Sequence, residues 1–514
     1  MSLDKKDDLT IKECITDSEK QATSQPISTA GLDWQQQFRS LWSSKHAVLA
    51  AFACSTAPIL VGYDLTLIGS IIANKEFVKT FGVYNVDLEA WALPADRQLI
   101  WSVVQYVAAG TASLVAGLLN DFLGRRLCFF TTIGLTVVGT IVELFSSNWK
   151  VWIVAKLIMG SAMGFMLANT QTYVSEITPS SIRGFTLSLF QFWIILGQLL
   201  ASCVLEVTSR VPGPWSWKTA VATQFGPAAF CLALFTPLVP ESPYYLVSKG
   251  RIEDACKSLR KIRKGEDINI DAEVQIMQDT LAHERQERAM NASYLECFQD
   301  TNLRRTLLAC MPISAQLFFG YPLCGNYLTY FLSLSGVDDA FLITVISVVC
   351  AMIAAIFAFF LIERVGRRPQ LLAGMYGMLV CLLVVSLLGF FSRGEIWNSR
   401  CLAAFCIIWA VFFYVSVGAT GWTLVGELSS SRLRAKTGSL AAMSNSAFNM
   451  GWSIAIPYLV NAEEANLGPR AALIFLGCSV ILTIVTFFCM PETKAKTFLE
   501  LDALFEARTP ARNF

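Results

Sequence analysis

The chain has 514 residues, 54% of them hydrophobic and only 15% charged, with a mean hydropathy of +0.51 and a formal net charge of +1. Apolar runs of about twenty residues recur along it, as helices that cross a bilayer require, so a soluble globular fold is excluded. The near-zero charge and absence of a basic tail argue against a nucleic-acid partner, and the lipid bilayer is the implied environment. Fifteen scattered cysteines form no CxxC pair or Cys/His cluster, so no metal or cofactor is implied. No nucleophile–base pair or nucleotide loop stands out, and the chain does not read as an enzyme.

Residues 1–46 are polar and charged and read as a cytosolic segment without a cleavable signal peptide. Six apolar spans follow within 47–240: Ala47–Ala73, one ending near Leu119, Phe129–Phe145, Val151–Val174, Arg183–Ser202 and Thr219–Val239. Residues 241–305 mix charge with apolar residues at helical spacing, which predicts short amphipathic helices against the cytosolic face. The one glycosylation sequon, Asn291-Ala292-Ser293, falls here and is expected to be unused. Six more spans fill 306–490: Leu307–Leu332, Leu342–Ile362, Leu371–Phe391, Leu402–Leu424, Ser439–Leu459 and Ala471–Met490. Residues 491–514 form a polar tail. Basic residues gather after the even-numbered spans, which places both termini in the cytosol. The fold class is therefore an all-α polytopic membrane protein with about twelve transmembrane helices.

The fifth span, RGFTLSLFQFWIILGQLLAS, carries Gln191 and Gln198 seven residues apart. A seven-residue step returns to within roughly 20° of the same helical face. An amide in hydrocarbon is costly without a partner. Two readings fit such a face: hydrogen bonding between helices, or a polar ligand path. Asp64 in the first span and Lys156 in the fourth are intramembrane charges, and each needs a partner.

The two halves repeat. Gly117–Arg126, GLLNDFLGRR, is echoed by FFLIERVGRR, with Gly124 matching Gly366; Glu176 and Arg183 are echoed by Glu427 and Arg434, and Pro240-Glu241 by Pro491-Glu492. Two six-helix halves related by an axis along the membrane normal build a transporter with its site at the midplane between them.

In these motifs the chain resembles the sugar porter family of the major facilitator superfamily. The resemblance rests on GYD at 62–64, the paired GRR turns, Glu176…Pro179…Arg183-Gly184, QFWIILGQLL, PESP at 240–243 and PETK at 491–494. Within the family it is most similar to fungal maltose and α-glucoside permeases, through GNYLTYFLSLSG, ELSSSRLRAKT and IPYLVNAEEA. The resemblance implies secondary transport of a neutral carbohydrate, an α-glucoside, disaccharide or hexose, by a plasma-membrane monomer, with H+ as the coupled ion. It implies a charge relay of Asp121, Arg125, Arg126, Glu176, Arg183 and Glu241 in the first half, with Glu363, Arg367, Arg368, Glu427, Arg434 and Glu492 in the second. That relay either latches the halves together or only enforces topology. Substrate-binding positions carried over are Gln191, Gln198, Gln316, Trp422, Asn445 and Asn449. Leu317 and Pro322 depart from the hexose-porter pattern, and Asn326 is the expected substitute. Asp64 is implied as the proton carrier and Lys156, where the family has Arg, as its partner. An uncoupled facilitator, an exporter of another metabolite and a non-transporting sensor remain the alternatives.

Overall fold

The computed structural model describes residues 45–85, 89–178, 183–264, 269–289, 294–337, 339–391, 396–429, 433–461 and 464–494, with short stretches between 500 and 511. The sequon, the N-terminal segment and most of the C-terminal tail lie outside the described residues, as do the side chains of Asp121, Arg183, Glu363, Trp422 and Arg434.

The described residues are almost wholly helical, and their helices follow the apolar spans. The first span is two segments, Lys45–Ser55 and Pro58–Ile71, because Pro58 has no N–H to continue the ladder. Spans two to five are the unbroken helices Ala95–Leu123, Arg125–Phe145, Trp149–Ile177 and Arg183–Thr208, and the sixth is Trp215–Ala222 with Phe225–Leu238. Three helices, Pro243–Ser248, Ile252–Ile262 and Ile270–Ala289, connect the halves. They bury Tyr245, Leu246, Ala255, Leu259, Val274 and Met277 against one another, and Arg263 pairs with Glu273 at 3.0 Å. The last six spans include the helices Ala340–Val365, Arg367–Leu388, Arg434–Val460 and Ala472–Cys489.

Two of those spans are interrupted. The tenth breaks at Ser416, between Ile396–Val415 and Val417–Leu428. The seventh runs as Asp300–Phe318, then a π-turn at Pro322–Asn326, then Leu328–Leu334, with Gly320 at φ +90°. Ten helical segments among the described residues are long and apolar enough to cross a membrane. The expected seventh and eleventh spans are not among them. The seventh is broken, with a charged first turn, and the eleventh carries Ser444, Asn445, Ser446, Asn449 and Ser453 along an otherwise apolar helix.

Both Gly-Arg-Arg turns, Glu241 and Glu492 lie at one end of the bundle, here the motif face. The opposite end, the far face, holds a two-stranded ribbon of Val83–Asn85 and Ala90–Ala92. Beneath that end Phe77, Phe81, Trp101, Trp152 and Trp217 pack as a buried aromatic box, with ring centroids between 4.7 and 6.1 Å apart.

Glycine sets the closest helix crossings. A Cβ on Gly62 would lie 2.0 Å from the Ile194 carbonyl oxygen, and one on Gly197 would lie 2.1 Å from that of Ile59, so spans one and five touch backbone to backbone. A Cβ on Gly69 would meet the Asn326 carbonyl oxygen at 1.7 Å, across the boundary between the halves. Backbone cannot yield as a side-chain tip can. Gly62→Ala and Gly197→Ala are therefore expected to destabilise the fold by at least the ~1–3 kcal/mol typical of overpacking. Thermal unfolding of the purified protein in detergent reads this directly. Gly110→Ala, with nothing within 4 Å of the added methyl, is expected to melt as wild type.

Candidate functional site

Lys156 lies deep in the fourth span and is 1% exposed. Its Nζ donates to Glu143 Oε1 at 2.5 Å and to Asp64 Oδ1 at 3.4 Å. The remaining carboxylate oxygens are also served. Gln105 Nε2 donates to Asp64 Oδ2 at 2.7 Å, and Gln224 Nε2 to Glu143 Oε2 at 3.2 Å. Asp64 and Glu143 are themselves buried, at 3% and 0% exposure. The structure thus brings together the Asp64 and Lys156 singled out from sequence, and adds a second carboxylate that is the nearer of the two. Glu143 was not singled out in the sequence, where it stands near the end of an apolar run.

A cavity of about 20 Å³, room for one water molecule, lies between this cluster and the aromatic box. Gln98, Trp101, Ser102, Trp152, Lys156 and Tyr327 line it, and the buried Gln98 Oε1 has no protein partner.

A neutral polar seam runs between the halves. Tyr414 donates from its hydroxyl to Gln198 Oε1 at 3.2 Å, and Gln198 Nε2 reaches the Tyr321 hydroxyl at 3.5 Å. Tyr321 stacks on Phe413, which stacks on Trp409, with centroids 4.9 and 5.2 Å apart. Toward the far face the seam continues through Ser102–Tyr327 at 3.2 Å, Ser70–Thr329 at 2.8 Å and Asn461 Nδ2 to the Leu93 carbonyl at 3.4 Å. Every hydrogen bond described between the halves lies from mid-height to the far face, and every one joins uncharged groups.

The other amides expected to touch substrate have structural work as well. The break at Ser416 frees the carbonyl of Val415 at the end of the preceding helix, and Gln370 Nε2 takes it at 2.6 Å. Gln316 Nε2 donates to the carbonyl of Val417, the first residue of the next segment, at 3.0 Å. Asn445 Nδ2 donates to the Ile313 carbonyl at 3.2 Å, and Asn449 Nδ2 to Asn445 Oδ1 at 3.3 Å. Gln191 is half-buried on the same helix as Gln198. Asn326 closes the π-turn, and its buried Oδ1 has no protein partner. Tyr321 and Tyr414 went unnoticed in the sequence because a tyrosine in an apolar run looks like packing.

The motif face is built twice. Arg125 pairs with Glu176 at 2.9 Å, and Arg367 with Glu427 at 2.9 Å. Ser242 and Thr493 donate to the other oxygens of those glutamates. Glu241 accepts from the backbone N–H of Arg125 and Arg126 at 2.9 and 3.2 Å; Glu492 does the same for Arg367 and Arg368, both at 3.1 Å. These carboxylates cap the N-termini of spans three and nine, where the helix dipole favours negative charge. Arg126 and Arg368 donate to the Thr236 and Phe487 carbonyls at 3.1 and 2.9 Å. Burial pushes the Glu176 carboxyl above its usual range, and the Arg125 charge opposes it. Among the described residues all these ion pairs join helices of one half, not the two halves. The expected latch across the halves is therefore not formed by the pairs described here.

The family model described as Sugar (and other) transporter matches residues 49–505. The general alpha-glucoside permease of Saccharomyces cerevisiae is 28% identical over 477 residues, covering 91% of this chain and 76% of that protein. The major facilitator-type transporter ecdD of Aspergillus rugulosus is 28% identical over 503 residues, covering 95% and 91%. The inward open conformation of the xylose transporter XylE from E. coli matches with a TM-score of 0.72 at 22% identity, over 88% of this chain and 98% of that one. At that identity the likeness speaks for the fold alone.

Gly124 and Gly366 have φ +92°, ψ +159° and φ +103°, ψ +162°, a region open essentially only to glycine. A Cβ there would also meet Glu241 Oε2 at 2.7 Å or Glu492 Oε2 at 2.9 Å. Gly124→Ala and Gly366→Ala are each expected to cost about 1–3 kcal/mol from strain alone, read as a lower melting temperature. Equal losses at the two sites would mark the repeat as energetic as well as geometric.

Proposed function

Because the chain belongs to the Sugar (and other) transporter family, a family of multi-pass membrane transporters with the major facilitator fold, we propose that it carries a neutral carbohydrate by alternating access, coupled to a proton. The observation that carries this reading is the uncharged seam between the halves. Amides donate and accept toward sugar hydroxyls, and aromatic faces cover the C–H side of a pyranose. Among the described residues no Arg or Lys stands in the seam to select an anion. The name of the general alpha-glucoside permease, similar over most of its length, supports an α-glucoside or disaccharide as the first candidate and a hexose as the second. Gln191, Gln198, Gln316, Asn326, Asn445 and Asn449 are the binding amides, with Trp422 the stacking aromatic. A sugar entering the seam replaces, with its hydroxyls, contacts such as those Gln198 makes with Tyr321 and Tyr414.

The motif face is cytosolic, with both termini on that side, and the membrane is the plasma membrane. With that orientation the seam closes the external side, and the bonded halves form an outward-closed state. Arg183 and Arg434 belong to the relay that holds the cytosolic side in the opposite state. Asp64 is the proton carrier and Lys156 its cationic partner: protonation loosens their attraction and frees the first span to move, and deprotonation restores it.

Uptake of labelled glucose, maltose and sucrose in a transporter-deficient host, with and without a protonophore, tests this. Concentrative uptake of at least one sugar, abolished by the protonophore, is expected. One proton moving through 100 mV supplies about 2.3 kcal/mol, roughly fifty-fold accumulation. Asp64→Asn is expected to equilibrate the sugar without concentrating it; unimpaired accumulation by that variant removes Asp64 from the coupling. Gln191→Ala and Asn445→Ala each remove hydrogen bonds typically worth about 0.5–1.5 kcal/mol. Both are expected to raise the half-saturation concentration several-fold at unchanged membrane abundance. Unchanged kinetics in both would displace the site from the seam.

A further inference from the structure

The buried cluster holds one cation and two carboxylates, so with every group ionised it would carry an uncompensated negative charge out of reach of water. Burying a lone charge is costly enough that such a group takes up a proton instead. One of the two carboxyls must be the one that does so. The geometry separates them. Glu143 lies 2.5 Å from Lys156 Nζ and Asp64 lies 3.4 Å away, and the shorter contact is the charge-assisted one. Glu143 sits on the third span, which packs against spans two, four and six of its own half. Asp64 sits on the first span, which also meets the broken seventh span of the other half, where Gly69 approaches the Asn326 carbonyl.

We propose that Glu143 is the fixed counter-ion of Lys156, and that the cluster's single exchangeable proton therefore resides on Asp64. This deepens the proton-coupled reading above and rests on it for its role in transport. When the proton leaves Asp64 for solvent, Lys156 stays an ammonium and Glu143 a carboxylate, and the charge of the cluster falls by one. The ionised Asp64 then keeps the Gln105 amide and only the residual attraction of a lysine whose charge Glu143 already offsets. Around Asp64, span two offers Gln105 and Tyr106, span four Lys156 with Glu143 of span three and Gln224 of span six behind it, and span seven Tyr321 and Tyr327. Lys156 and Glu143 are the charged groups of that set. A neighbouring unpaired charge moves a carboxyl's titration by about 1–3 pH units, and a fixed ion pair largely cancels that influence.

Two measurements on the purified full chain in lipid vesicles decide it. Difference infrared spectroscopy follows the C=O stretch of a protonated, buried carboxyl as pH is stepped, and needs no transport. The expected band is present in wild type, absent in Asp64→Asn, and retained in Glu143→Gln but titrating about 1–3 pH units lower, because Lys156 is then unpaired. Lys156→Gln leaves Glu143 buried without its counter-ion, and a second protonated-carboxyl band is expected beside that of Asp64. The double variant Glu143→Gln/Lys156→Gln returns the Asp64 band close to wild type. A band that survives Asp64→Asn, or a wild-type titration in Glu143→Gln, overturns the assignment. Should either single variant misfold, the double variant decides: a band shifted upward shows that Asp64, not Glu143, was the lysine's counter-ion. Sugar uptake by the same vesicles against external pH is the second measurement. Uptake indifferent to pH, with the band behaving as expected, overturns proton coupling and leaves the charge assignment intact.

Discussion

Five of the six spans in the first half meet at one lysine. Asp64, Gln105, Glu143 and Gln224 reach Lys156, or the carboxylates around it, from spans one, two, three and six. A single cation has become the point at which helices with few other polar contacts are fixed in register. Desolvating such a group costs several kcal/mol, and mutual attraction offsets that only when geometry is good and the leftover oxygens are bonded. Here both conditions hold. Removing one partner of a buried pair typically costs about 3–5 kcal/mol, since it leaves an isolated charge behind. The same sensitivity that fixes the helices makes the cluster a natural place for a proton to be felt.

The second half has no such node among its described residues. It repeats the motif-face caps of the first almost atom for atom, with Glu492 in the place of Glu241 and Glu427 in the place of Glu176. Its middle is built differently: span seven turns through a π-turn, span ten breaks at Ser416, and side-chain amides hold the backbone on either side of the break. Irregular backbone is tolerated at such depth only where protein or a polar cavity satisfies it. Duplication has kept the ends of the two halves alike, while their centres carry different tasks.

The sequence was most legible where chemistry is local. Twelve apolar stretches, the paired Gly-Arg-Arg turns and the Gln191/Gln198 face follow from periodicity and composition, and the helices fall where those patterns lie. Asp64 and Lys156 were conspicuous as charges in apolar runs that each need a partner; pairing them with each other took the family resemblance. Glu143 escaped it because two residues separate it from the helix end, and only the packing of spans four and six makes that position deep. The break at Ser416 was hidden, since Val415-Ser416-Val417 contains neither proline nor glycine. Gln316 looked like a ligand group from its type and place; that its N–H₂ serves a broken helix depends on a carbonyl a hundred residues away. Glu241 and Glu492 were visible as members of a charge set, yet their capping of spans three and nine is a property of the turn's φ and ψ.

The bonds that close the far face are all uncharged, whereas the motif face is laced with ion pairs. The far face is held by neutral hydrogen bonds across the halves, and the motif face by part-buried ion pairs within each half. Salt screens partly buried pairs far less than exposed ones and leaves amide–hydroxyl contacts nearly untouched. The ionic strength of either compartment therefore leaves the balance between the two ends largely unchanged.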